Sequence, residues 1–197
     1  MSCLLLKSSN NDCANTSYAK KVFSILFLHR SNLLIRSMVE NDIALIVDGF
    51  KQQGWVKSQS IIASYYEEQQ AATLFPFIAE SENRIAGYVL LAPQASYGPF
   101  AGASIPEIRD FNVFIPYQNK GIGSHLLCCA EKKARQLSNK VSLGVGMHQG
   151  YGAAQRMYAK RGYLPHGSGL WYNNAPLAPY APCKNDDGLI LYLSKTL

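Results

Sequence analysis

The stretch Val113-Phe-Ile-Pro-Tyr-Gln-Asn-Lys-Gly-Ile-Gly-Ser-His-Leu-Leu127 decides how the rest of the chain is read. Val113 to Ile115 is apolar strand material, Pro116 ends the ladder, and Gly121 and Gly123 open a helix. The first N–H groups of a helix have no intrahelical partner and lie at the positive end of its dipole. With Lys120 beside them, they suit a phosphate. Glycine matters here because a side chain would hold the ligand's oxygens away from the backbone.

Two well-defined phosphate loops do not fit these letters. A Walker A loop needs Lys and then Ser or Thr after its last Gly, whereas Lys120 precedes Gly121. The dinucleotide fingerprint needs a third small residue where Leu126 stands, and no ribose-binding carboxylate follows at the expected distance.

Gln118-Asn-Lys-Gly121-Ile-Gly123 resembles the pyrophosphate loop of the GNAT superfamily of acyl-CoA-dependent N-acyltransferases: Gln or Arg, two residues, Gly, any residue, Gly or Ala. Ala154-Gln-Arg-Met-Tyr158-Ala-Lys-Arg-Gly162-Tyr163 is similar to that family's second signature, a helical Tyr followed by Gly and an aromatic. The resemblance covers roughly Leu33 to Leu197. It implies an α/β fold with a mixed, twisted central sheet of about six to seven strands and helices on both faces.

The elements outside the motif agree with that expectation. Asn32 to Met38 reads as a first strand, and Glu40-Asn-Asp42 offers cap residues for a helix carrying Ile43, Leu45, Ile46, Val47 and Phe50. A second helix follows Trp55, with Ile61, Ile62, Tyr65 and Tyr66 at helical spacing. In the family these helices border the acceptor groove, but aromatics at such spacing read first as core. Phe75 to Glu80 and Arg84 to Ala92 make a hairpin around Ser81-Glu-Asn83. Glu107 to Ile115 is the strand that feeds the glycine turn. The following helix places Ile122, Leu126, Cys129, Ala130, Ala134 and Leu137 on one stripe and sets Glu131 four residues before Arg135. Val141 to Val145 then completes a parallel crossover, and a sheet that splays there leaves a slot for a linear cofactor. The last strand runs from Leu189 to Ser194. Before it lies a loop insertion over 167–187, rich in Pro, Asn and aromatics, and loops of that length usually have a task.

Composition sets the frame. The chain has 197 residues, 48% hydrophobic and 16% charged, which suits one globular domain over residues 32–197 with an N-terminal extension over 1–31. The net charge of +6 favours a polyanionic partner, but the basic residues are scattered, unlike a nucleic-acid platform. No apolar run approaches the ~18 residues of a membrane span. Five cysteines without ligand spacing indicate neither a disulfide framework nor a metal site, and a cytoplasmic location is expected.

The resemblance implies direct transfer of an acetyl group from acetyl-CoA to a small-molecule or peptide amine, with both substrates bound together. Gln118, Lys120, Gly121, Gly123 and Ser124 are expected at the pyrophosphate, and the backbone of Val113 and Ile115 at pantetheine and the thioester carbonyl. Tyr158 is the expected general acid. Glu107 and Asp110 are the candidate bases, with His148 a third option that reads first as structural. One departure stands out: the family often has Asn seven residues before the helical Tyr, where this chain has Tyr151. The insertion, with Trp171, Tyr172, Tyr180, Asp186 and Asp187, is expected either to select a cationic amine or to serve a homodimer interface. Two other classes fit less of the sequence: a non-catalytic acyl-CoA-binding module, and a nucleic-acid-binding protein.

Overall fold

The computed structural model describes residues 33–197; the extension expected over 1–31 lies outside the described residues. Its sheet has eight strands in the order β1-β2-β3-β4-β5-β8-β6-β7. They are β1 (Leu33–Ser37), β2 (Phe75–Ser81), β3 (Arg84–Ala92), β4 (Glu107–Val113), β5 (Lys140–Gly146), β6 (Leu164–Tyr172), β7 (Ala175–Pro176) and β8 (Leu189–Thr196). The helices are α1 (Asp42–Gln52), α2 (Gln59–Gln70), α3 (Ile122–Ala134) and α4 (Gly152–Lys160). The count exceeds the expected six or seven because β6 continues into the region read as a loop, and a two-residue β7 folds back on it.

β3 explains why the sheet is covered on both faces. Its residues after Arg84 are all buried, as a central strand sandwiched between layers requires. Ala86, Val89 and Leu91 join the core beneath α3 and α4, while Ile85, Tyr88, Leu90 and Ala92 join the core beneath α1 and α2. Leu90 and Leu91 are essentially inaccessible, and truncating either to Ala costs about 2–5 kcal/mol. The β2–β3 hairpin turns through Glu82 and Asn83, both at positive φ, the two-residue geometry that matches strand twist.

The helix ends differ from their sequence reading in instructive ways. Asn41 caps α1 without a side-chain bond; the Asp42 carboxylate instead accepts from the Val39 N–H at 2.8 Å and pairs with Arg36 at 2.6 Å. α3 ends at Ala134, so Leu137 lies beyond it and is largely exposed. Glu131 does not pair with Arg135. It is buried and takes Arg161 at 2.5 Å and Lys195 at 3.1 Å, because α3 turns that face toward the end of α4 and β8 rather than to solvent. Cys129 packs in the core, where burial pushes its thiol up to about 11, the behaviour of a small hydrophobe.

β4 and β5 are parallel neighbours, yet only Glu107↔Ser142 and Ile108↔Leu143 pair. Every other neighbouring pair in the sheet is antiparallel. From Arg109 to Val113 the two strands run without a ladder between them, so the sheet opens as a wedge whose apex is at Glu107 and Ile108.

Candidate active site

At the open end of the wedge the chain turns. β4 stops at Val113, earlier than the sequence suggests, and Ile115–Tyr117 forms a 3₁₀ turn because Pro116 fixes φ and offers no donor. Gly121 caps α3 at φ 80, a left-handed conformation that side chains resist, and a Cβ there would meet only the His125 ring, at 3.9 Å. Ile122, Gly123 and Ser124 carry the first N–H groups of α3, which have no intrahelical acceptor. Lys120 Nζ lies 5.6 Å from the centre of the Tyr117 ring. Gln118 braces the turn, its Nε2 donating to the Val113 carbonyl at 3.0 Å. The Ile115 N–H donates to Gln53 Oε1 at 3.0 Å, and Gln53 Nε2 is buried without a protein partner.

The two faces of β4 carry different chemistry. Toward α3 and α4, Phe111 and Val113 pack on the core that contains Tyr158, with the Phe111 and Tyr158 rings 6.5 Å apart. Tyr158 is 5% exposed, and burial first, then Tyr151, pushes its phenol far above its ordinary value, so it stays protonated at neutral pH. On the other face, Glu107 stands buried at the apex of the wedge. Desolvation, opposed by Arg109, pushes its carboxyl up to about 7.

Asp110 sits at a bulge in β4, at φ 44, where the β3–β4 register shifts. The bulge turns its carboxylate toward α1 and α2, where four side chains donate to it: Lys57 (2.5 and 2.6 Å), Tyr65 (2.7 Å), Tyr88 (2.8 Å) and Asn112 (2.8 Å). Both carboxylate oxygens are thus engaged by protein donors. Of the two candidate bases, Glu107 stands buried without a side-chain ion pair, whereas Asp110 is paired with Lys57.

Residues 46–163 match the family model for the acetyltransferase (GNAT) family, more than half of the chain. The chain belongs to the GNAT acetyltransferase family. Comparison of the sequence with curated proteins gives no match. Solved structures share the fold. An N-acetyltransferase from Staphylococcus aureus Mu50 superposes with a TM-score of 0.64 at 18% identity, covering 84% of this chain and 99% of that one. The ribosomal-protein-S18-alanine N-acetyltransferase of Escherichia coli gives 0.60 at 15% identity over 83% and 93%. A GNAT acetyltransferase from Elizabethkingia anophelis with acetyl-CoA bound gives 0.54 at 21% identity over 85% and 100%.

Within this GNAT chain the remaining sequence candidates are dispersed. His148 caps the 3₁₀ turn before α4, accepting from the Gly150 N–H, and its Nε2 lies 3.0 Å from Asp187. Tyr151, at the place where the family often has Asn, donates to the same Asp187 at 2.9 Å. Asp186 accepts from Tyr172, Trp171 packs edge-on against Tyr192, and Tyr180 is fully exposed. The carboxylates of the 167–187 segment are thus engaged close to the sheet, and its aromatics do not converge. Sequence reading missed Gln53, Lys57, Tyr88 and Asn112. One signal was present for Tyr88: it carries the single polar tip in the apolar run Ile85 to Ala92.

Proposed function

We propose that this chain transfers the acetyl group of acetyl-CoA to a primary amine, by direct attack with both substrates bound together. One observation carries the reading: the wedge between β4 and β5 opens directly onto the glycine turn, with a buried carboxyl at its apex. The N–H groups at the start of α3, with Lys120, hold the pyrophosphate of acetyl-CoA, and Gly121 at φ 80 shapes the turn that presents them. The pantetheine arm lies in the wedge along Val113 and Ile115. Gln53 and Gln118, which bond to those backbone groups, yield them to the pantetheine amides.

Glu107 takes the proton of the attacking amine, directly or through water, since a carboxyl near 7 is a competent base at neutral pH. A backbone N–H of β4 on the open side of the wedge, where no ladder forms to β5, supports the developing oxyanion. Tyr158, held neutral by burial, returns a proton to the departing thiolate. No covalent enzyme intermediate is needed.

The test combines calorimetry with acetyl-CoA and a thiol-release assay over a panel of primary amines. Binding with amine-dependent thiol release supports the proposal. Binding without turnover on any amine makes the chain a non-catalytic acyl-CoA module, and absence of binding removes the reading altogether.

A further inference from the structure

The Lys57 ammonium occupies a built site. It lies 5.3 Å from the Phe50 ring centre, 5.9 Å from Tyr65 and 5.7 Å from Tyr88, with both Asp110 oxygens at hydrogen-bond distance. Aromatic faces closed by a carboxylate are the standard recognition of a desolvated ammonium. The bulge and positive φ of Asp110, and the hydroxyls of Tyr65 and Tyr88 aimed at it, build this site from three elements. Lys57 itself comes from the irregular segment between α1 and α2. There a side chain at Gly54, at φ 78, would meet nothing within 4 Å, Trp55 is half exposed against Phe50 and Val56 is fully exposed. The site is built from packed elements, and its occupant comes from an exposed segment.

We infer that this cage is a binding site for an ammonium group of the acceptor, and that Lys57 is a displaceable plug filling it from within the chain. The inference rests on the proposed acetyl transfer and adds the acceptor's class. An amine paired with Asp110 is held as an ammonium and cannot attack a thioester. The group in the cage is therefore not the one that reacts. Asp110 lies within the wedge, three residues from Glu107 along β4, roughly 10 Å of strand. An acceptor anchored there by one cation reaches the apex with a second amine. The acceptor is a diamine.

Initial rates with cadaverine and with pentylamine, which share a chain and differ by one amino group, test this on the full chain. The wild type is expected to favour cadaverine in kcat/KM. Lys57→Met vacates the cage and should lower KM for cadaverine about tenfold, if the plug is closed in roughly nine molecules of ten, with kcat and the pentylamine constants unchanged. Asp110→Asn should raise KM for cadaverine about tenfold or more and abolish the preference. If the Asp110 variant does not fold, Lys57→Met decides alone. Acetylation of both amines with equal efficiency, or an unchanged cadaverine KM in Lys57→Met, overturns the cage as an acceptor site while leaving acetyl transfer intact. A raised KM in Lys57→Met overturns it too, since Lys57 would then support the site rather than block it. No acetylation of any amine, with acetyl-CoA bound, instead defeats the reading on which the inference rests.

Discussion

The two faces of β4 are built by different rules. On the face toward α3 and α4, the elements that matter follow one another along the chain: Phe111 and Val113, then the turn and Gly121 capping α3. On the face toward α1 and α2, Asp110 draws its partners from positions 57, 65 and 88, separated by 53, 45 and 22 residues. On the proposed reading the first face works mainly through backbone N–H groups, which a short glycine pattern announces. The second works through side chains that meet only after folding. A cofactor shared by a family can be read by a local motif, whereas an acceptor peculiar to one member is read by distant residues.

The sharpest test of that division is Glu107, which belongs to the second face but acts where the two meet. Glu107→Gln should lower kcat by about 10³-fold while leaving acetyl-CoA affinity unchanged. In the wild type, kcat/KM should climb as pH rises through about 7, because the carboxylate is the active form. Stability runs the other way. A carboxyl raised above its unfolded value near 4.5 contributes fully below that pH, and the contribution is lost as pH rises through about 7. Keeping Glu107 ionised above that pH costs roughly 3 kcal/mol. Glu107→Gln should therefore melt several degrees above wild type at pH 8, and the two should converge near pH 4.5. Equal melting at pH 8 would contradict the buried, unpaired carboxyl.

Tyr158 probes the first face beyond its backbone. Tyr158→Phe should lower kcat about 10²-fold with little change in acetyl-CoA affinity, since the hydroxyl acts on the leaving thiolate. Near-normal turnover would return it to a packing role between Phe111 and Tyr163, whose rings lie 6.5 and 5.6 Å away.

Most strands and every helix were legible because their signals are periodic and local: the apolar run of β3, the Glu82-Asn83 turn, and Gly162 at φ 83 after α4. The end of β4 was misread because Ile115 is apolar while Pro116 draws it into a 3₁₀ turn, so local geometry overrode composition. The Glu131 partner was misread because i,i+4 spacing describes an isolated helix, whereas Arg161 and Lys195 arrive through tertiary packing. The cage was invisible for the same reason, and also because the bulge at Asp110 breaks the alternation that would tell which face its side chain meets. Gly87 conceals a similar constraint. A Cβ there would run into the Asn112 carbonyl and the Val113 Cα, so that glycine lets β4 approach β3 beside the site.

Gly121→Val tests the backbone face directly. A β-branched residue at φ 80 is strained, and its side chain would occupy the space beside the first N–H groups of α3. Losing one charge-assisted bond to phosphate corresponds to roughly 30-fold weaker acetyl-CoA binding. Unchanged affinity by calorimetry in a folded variant would move the pyrophosphate elsewhere.

The smallest effect is expected from the 167–187 hairpin, the region that sequence alone read as either an acceptor selector or a homodimer interface. Its base is fixed: Asp187 holds His148 and Tyr151, and Asn174 accepts from the Gly98 N–H at 3.0 Å. Its tip, from Ala178 to Asn185, is mostly exposed, and Tyr180 points into solvent. Replacing that tip by a short Gly-Ser turn keeps the anchors and removes only the exposed part. If the cage recognises the ammonium, the cadaverine to pentylamine preference should change by no more than about threefold, a contribution within about 1 kcal/mol, as expected for solvent-screened groups. Acetyl-CoA affinity should not move. A preference that collapses on trimming, while Lys57→Met leaves it untouched, would reverse the assignment and return acceptor selection to the hairpin. Intact kinetics with a change in sedimentation would identify the tip as an assembly element instead, and would leave the second face of β4 as the place where the acceptor is chosen.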